Sequence, residues 1–201
     1  RPTIFKGQMI ESGAVWETYT DAIGMRWAPP DITFTQRLSL FWGGPEIVLQ
    51  HHPGPTPGSI WALIPTEKVV FVGDAVVQEQ TPFLANADMD EWQATLELLA
   101  SDYRDFRIIS GRGGLVAAED VRRMQRHLKA VLKGVEKLAK RNASPEDTED
   151  LLPGLLTEFS LPEAKRELYI QRLKYGLYQY YGRRYRPASF QDQPHIEDEE
   201  Q

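Results

Sequence analysis

The 201-residue chain has no cysteine, which excludes disulfides, thiolate metal ligands and a cysteine nucleophile and leaves the redox compartment undecided. Histidine is scarce too: the four are His51, His52, His127 and His195. No uninterrupted apolar run approaches the roughly 18–20 residues that span a bilayer, and no charged-then-apolar leader opens the sequence. The expectation is a cytoplasmic protein without a membrane partner. The first residue is Arg1 rather than Met, so the natural start is expected upstream. A net charge of −6 argues against nucleic acid as a partner of the chain as a whole.

What is present is ordinary for a globular protein: 41% hydrophobic and 26% charged residues, in a length that suits one domain and an appendage. Residues 1–31 are mixed, with aromatic Phe5, Trp16, Tyr19 and Trp27, and end in the breaker APPD. Residues 32–42 alternate like a half-buried strand, and GGP turns them into a hairpin partner at 46–52. The turn PGPTPG leads to a strand at 59–64, and PTEK to a second strand at 69–73. The latter, VVFVG, is continuously apolar and predicts a strand covered on both faces. The first half is thus a β-meander.

Helical spacing then takes over. Trp92, Leu96 and Leu99 share one face of a helix over 90–101. A short strand (107–110) and the glycine-rich turn GRGG (111–114) precede a long amphipathic helix over 117–141. Its stripe of Val121, Met124, Leu128, Val131, Leu132, Val135 and Leu138 predicts burial, and arginines and lysines crowd the rest. A polar break (141–150) contains Ser144-Pro145-Glu146, a helix start that LLPGLL interrupts. Ser160-Leu-Pro-Glu163 fits a capping box for a last helix over 163–181. That helix carries Tyr169, Tyr175, Tyr178, Tyr180 and Tyr181, with Tyr185 just beyond. Three segments follow: 1–141, a helical extension at 142–186, and an acidic, disordered tail at 187–201.

The order of Pro53-Gly54-Pro55-Thr56-Pro57-Gly58-Ser59, Pro65-Thr66-Glu67-Lys68, Gly73-Asp74 and Ser110-Gly111-Arg112-Gly113 resembles the C-terminal half of the metallo-β-lactamase fold superfamily, over about residues 30–140. The resemblance implies an α/β fold, a four-layer αββα sandwich, with its N-terminal part missing here. It also implies zinc, held by histidines and an aspartate at one end of the sheets, where it lowers the pKa of a bound water to about 7. In such proteins the PGxTPGS turn carries a histidine where this chain has Pro55, and the later Gly-x-Gly turn carries one where it has Arg112. Pro55 and Arg112 are read as former ligand positions. Asp74 is retained. The first motif, His-x-His-x-Asp-His, is not in this sequence.

Asp74 has two readings, a metal-bridging carboxylate or the partner of Arg112 in a buried ion pair. His51 and His52, being adjacent, face opposite sides of a strand, so at most one faces the site, and a His52–Asp74 metal contact is the remaining option. Gly111, Arg112, Gly113 and Gly114 read as a tight turn or as an anion-binding cradle opening into a helix. The basic helix lacks the stacking aromatics of a single-strand binder, so no nucleic acid is expected. The tyrosines serve either the chain's own packing or an interface, with a second copy or another protein as partner.

Two functions follow. The first is a degenerate member of the fold without the usual binuclear zinc and with no cofactor, acting as a binding or scaffold protein or as a subunit. The second is a metal-dependent hydrolase of an ester, thioester, lactone or phosphodiester, with zinc held mostly by a motif upstream. The first is preferred, because two separate ligand positions are substituted.

Overall fold

The computed structural model describes residues 31–186. The N-terminal aromatics, His195 and the acidic tail lie outside the described residues. Six strands form one sheet in chain order: β1 (Arg37–Leu40), β2 (Ile47–His51), β3 (Ile60–Ile64), β4 (Val69–Gly73), β5 (Arg107–Ser110) and β6 (Gly114–Leu115). All neighbours are antiparallel except β4 and β5, which run parallel. A parallel pair needs a long crossover, and α1 (Met89–Ser101) supplies its helix. The other helices are α2 (Ala118–Lys140), α3 (Leu152–Leu156) and α4 (Arg166–Tyr185).

Alternation decides which side of the sheet is core. Val48, Trp61, Leu63, Val70, Val72 and Ile108 are buried against Trp92, Leu96 and Leu99 of α1 and the apolar stripe of α2. Fully burying a side chain of this size stabilises by about 1.5–3 kcal/mol. The opposite face carries Ile60 and Phe71, which remain 43% and 42% exposed. VVFVG is covered fully on the Val70–Val72 face, while on the other face Val69 is buried and Phe71 half-exposed, so the expected cover on both faces is met only in part.

Other local differences have local causes. β1 is shorter than the expected 32–42, and Phe41 and Trp42 stand exposed at the hairpin tip. The GRGG turn does not open into a helix: Gly114 pairs with Ser110, and the turn closes a β5–β6 hairpin. Pro153 lies in the first turn of α3, where its missing N–H costs little, so LLPGLL forms a short helix rather than only a break. The Ser160–Glu163 capping box does not form. Pro162 is extended, a 3₁₀ turn spans Glu163–Lys165, and α4 runs from Arg166 to Tyr185 rather than ending at 181.

The helical extension shares the core of the sheet. Leu155, Phe159, Leu173, Leu177, Tyr180 and Tyr181 belong to the same buried cluster as the strands. α4 also grips the long loop between β4 and α1. Thr81 donates to the Tyr169 carbonyl at 2.8 Å and Arg183 donates to the Ala85 carbonyl, while Arg184 lies 3.3 Å from Asp90 in the first turn of α1. A Cβ on Gly176 would meet the Leu84 backbone nitrogen at 3.0 Å, so glycine permits this approach.

Asp120 anchors the start of that loop. One oxygen accepts from the Ala117 backbone at 2.9 Å, satisfying an N-terminal amide of α2, and from Gln78 Nε2 at 2.5 Å. The other accepts from Arg123 Nη2 at 2.7 Å. His127 is fully buried on α2, edge-on to Phe159 at 4.8 Å. Neither ring nitrogen reaches a hydrogen-bond partner among the described residues. Burial lowers its pKa from 6.5 to about 4, with a smaller upward pull from the Leu155 backbone.

Two stability measurements follow. Asp120→Ala removes the carboxylate acceptor of a partly buried Arg123 and of the Ala117 amide and leaves Gln78 only its 3.1 Å bond to the Leu115 carbonyl, and should cost about 1–3 kcal/mol in chemical denaturation. For His127 the folded pKa lies below the unfolded value, so the unfolded chain binds the extra proton. Its contribution is intact above the unfolded pKa of about 6.5 and is lost as pH falls toward about 4, by about 3 kcal/mol in total. His127→Leu should show a smaller stability loss than the natural chain between about pH 7 and 5.

Candidate functional site

Three connections meet at one end of the sheet. They are the β2–β3 turn, the chain leaving β4 at Gly73, and the β5–β6 turn. The β2–β3 turn is held largely by its own backbone. His52 N–H donates to the Ser59 carbonyl at 3.0 Å and Gly54 N–H to the Thr56 carbonyl at 3.2 Å. Thr56 and Ser59 hydroxyls meet at 3.0 Å. Gly54 is required for close approach, since a Cβ there would lie 3.1 Å from the Trp92 ring. Its carbonyl accepts from Asp88 N–H at 2.9 Å, so the turn also fixes the start of α1.

The ends of β4 and β5 touch directly. Gly73 adopts φ +56°, beside a register shift between Phe71 and Gly73. Gly111 donates its N–H to the Gly73 carbonyl at 2.8 Å, and a Cβ on Gly111 would stand 3.3 Å from the Gly73 backbone. The next residues in each segment are Asp74 and Arg112, and Arg112 Nε lies 3.2 Å from both carboxylate oxygens of Asp74. The Arg112 and Asp74 side chains are 40% and 45% exposed, so this is a solvated pair and not the buried one the sequence suggested. The exit of β5 opens onto solvent, and surface pairs of this kind are worth about 0–1 kcal/mol.

The remaining candidates are distributed around this pair. Arg112 N–H is taken by Ser110 Oγ at 3.0 Å, and Gly111 N–H by Gly73, so two amides of the GRGG turn are engaged within the protein. Gly113, at φ +144°, packs against the Gln78 side chain. His51 Nε2 donates to the Pro57 carbonyl at 2.7 Å. His52 Nε2 lies 3.2 Å from Gln50 Oε1, and its ring lies tilted by 32° against Trp61 with centroids 4.0 Å apart. Burial, and secondarily the neighbouring His51, holds the His52 pKa below its usual value.

Sequence reasoning missed the polar wall beside the turn. Gln78, Glu79, Asp120, Arg123 and Glu158 line a cavity of about 430 Å³ next to Gly113. Asp120 three residues after Ala117 was a legible helix-start signal; its meeting with Gln78 was not, since 42 residues separate them.

The zinc that the resemblance implies does not fit the described residues. A guanidinium stands at bonding distance from both oxygens of Asp74, Pro55 has no lone pair to donate, and His52 is turned toward Gln50 and Trp61. Among the described residues no group of three or more His, Cys, Asp or Glu side chains could hold a metal ion. No helix among them is long and apolar enough to cross a membrane.

Comparison with known proteins agrees with this architecture. The family model for the metallo-beta-lactamase superfamily matches residues 6–111, a little over half of the chain. No curated protein matches the sequence. Among solved structures, a metallo-beta-lactamase family protein from Thermus thermophilus is 20% identical over 77% of this chain and 50% of its own, with a TM-score of 0.48. A metallo-beta-lactamase from Pontibacter korlensis is 20% identical over 51% of this chain and 50% of its own, with a TM-score of 0.46. A double mutant of a sec-alkyl sulfatase is 16% identical over 81% of this chain and 28% of its own, with a TM-score of 0.51. The chain spans about half the length, or less, of these structures. With more than half of the sequence matched by one family model, the chain belongs to the metallo-beta-lactamase superfamily.

Proposed function

We propose that this chain is a metallo-beta-lactamase-fold protein without the usual binuclear zinc site, and that it acts as a binding or scaffold protein or as a subunit paired with another chain. The observation that carries this reading is the 3.2 Å contact of Arg112 Nε with both oxygens of Asp74. A guanidinium there supplies the positive charge a carboxylate needs, and repels a divalent cation from the same oxygens. Pro55 supports the reading, since it keeps the turn's backbone shape while offering no ligand atom. Work for the protein then falls to surfaces rather than to metal chemistry. On α4, Tyr169, Tyr180 and Tyr181 are buried in the chain's own core. Contact with a second copy or another protein would therefore use the outward side, where Tyr175 and Tyr178 line a surface cleft with Lys174.

A second reading keeps the superfamily's hydrolase activity, on an ester, thioester, lactone or phosphodiester, with ligands supplied from outside this chain's span. It is favoured by one fact, that the chain spans about half of its solved relatives.

Metal content separates the two. Protein purified without chelator or metal-affinity tag, then offered zinc, iron and manganese, should retain far less than one ion per chain by elemental mass spectrometry. Stoichiometric metal that is lost in Asp74→Ala would overturn the first reading. Restoring both substituted positions, with Pro55→His and Arg112→His together, should raise zinc retention over the natural chain. Arg112→Ala alone should shift stability by no more than about 1 kcal/mol, because the pair is solvated. A larger loss in thermal denaturation would show that the pair is buried in solution.

A further inference from the structure

α4 divides its aromatic residues between two sides. Tyr169, Leu173, Leu177, Tyr180 and Tyr181 are buried in the core. At about 100° per residue, Gln171, Lys174, Tyr175 and Tyr178 fall within roughly 100° of arc on the opposite side. The 3₁₀ segment Pro145–Leu151 packs against α4. Between that segment and the outward tyrosines opens a cleft of about 230 Å³. Both walls are fixed from behind. Thr148 is buried and donates Oγ1 to the Pro145 carbonyl at 2.6 Å, and Asp147 accepts from the Ser144 N–H at 2.7 Å. On the other wall Tyr175 stacks on Phe83, with ring centroids 6.1 Å apart and planes 15° from parallel. Lys174 Nζ ties the walls together at 2.7 Å from Glu149. A preformed cleft spares a ligand the cost of ordering it.

Size and charge limit what fits. Pockets for drug-sized ligands start at about 300 Å³, so this cleft suits one or two small rings rather than a cofactor. Its lining combines two phenol rings and a proline with an acidic rim. The 3₁₀ segment carries Glu146, Asp147, Glu149 and Asp150. Glu149 is answered by Lys174, Asp150 lies 3.8 Å from Arg141, and Asp147 takes a backbone amide. Glu146 is exposed, lines the cleft and has no ion-pair partner among the described residues. The complement is a ring-bearing apolar segment with a cation beside it.

We propose, resting on the reading of α4's outward side as a contact surface, that this cleft docks an extended, proline-rich segment of another protein with an arginine or lysine next to its prolines. A polyproline II helix is ordered before it binds and docks in grooves lined by aromatic side chains. Its proline rings would sit against Tyr175, Tyr178 and Pro145, and the adjoining cation would meet Glu146. The contact does not involve Asp74 or Arg112, so metal analysis and peptide binding can fail separately.

The test is an NMR titration of the isotope-labelled chain with a blocked peptide of four prolines followed by two arginines. Saturable shifts should fall on the backbone amides of the 3₁₀ segment and of 171–178. Alanines in place of the prolines, or glutamates in place of the arginines, should each weaken binding. Tyr178→Ala should weaken it at least about tenfold, as for an interface anchor. Glu146→Gln should weaken it about twofold to fivefold at low salt, and less at high salt, as for one exposed ion pair. The peptide replacements probe the same contacts on the natural chain, whatever the variants do to folding. No shift in these segments at millimolar peptide would overturn the proposal, as would equal binding of the alanine peptide. Shifts of the same amides on concentrating the chain alone would assign the cleft to a second copy and overturn it too.

Discussion

Gly111 donates its backbone N–H to the Gly73 carbonyl across 2.8 Å, and much of the molecule is arranged around that contact. It joins the ends of β4 and β5, the parallel pair in a sheet that is otherwise antiparallel. A parallel pair forces the chain to travel the length of the sheet between the two strands. That journey is α1 and its loops, and Trp92 on α1 closes it, with its ring against Gly54 and its Nε1 bonded to the Ala75 carbonyl at 2.9 Å. Three segments distant in sequence are thereby held at one end of the sheet. Which side chains follow the two glycines then decides the chemistry of that end.

Here the side chains are Asp74 and Arg112. A carboxylate at a strand end attracts positive charge, and a mobile cation or a tethered guanidinium can both provide it. The tethered one is always present and always charged. Because both groups stay half in solvent, the pair contributes little to stability, and its consequence is to occupy the acceptor. Restraint of the loop after Asp74 comes from elsewhere. Ser110 Oγ donates to the Val76 carbonyl at 2.6 Å, Asp120 binds Gln78, and α4 presses on residues 81–85. Backbone contacts, side-chain hydrogen bonds and apolar packing hold this end of the sheet together.

The helical extension belongs to the same core as the sheet, which explains its composition. A tyrosine buries a large ring while its hydroxyl still needs a partner. Tyr181 satisfies this with the Ala143 carbonyl at 2.9 Å, tying α4 to the segment just beyond α2. The same corner receives Arg186. Thus the end of α4 is fixed against the segment just beyond α2.

Much of the fold was legible in the sequence because its signals are local. Alternation marked the segment that holds β1, the glycine and proline turns placed β2 and β3, and helical spacing marked the buried faces of α1 and α2. The resemblance of PGPTPGS, Gly73-Asp74 and Ser110-Gly111-Arg112-Gly113 was enough to bring Pro55, Asp74 and Arg112 forward as candidates. The failures are those of local reasoning. VVFVG reads as covered on both faces, and Val69 is, but Phe71 stays half-exposed, because apolarity records what a strand can bury and not what packs on it. Ser160–Glu163 has the residues of a cap, but the extended Pro162 moves the helix start to Arg166. Sequence by itself determined the periodicity of the elements, the turns, and the presence of Pro55 and Arg112 in the two turns, since these depend on residue type and near neighbours. Tertiary structure alone decided the 3.2 Å approach of Arg112 to Asp74, its exposure, the meeting of Gln78 with Asp120, and the contact of Arg186 with Asn142, because each depends on segments tens of residues apart being brought to one place by packing.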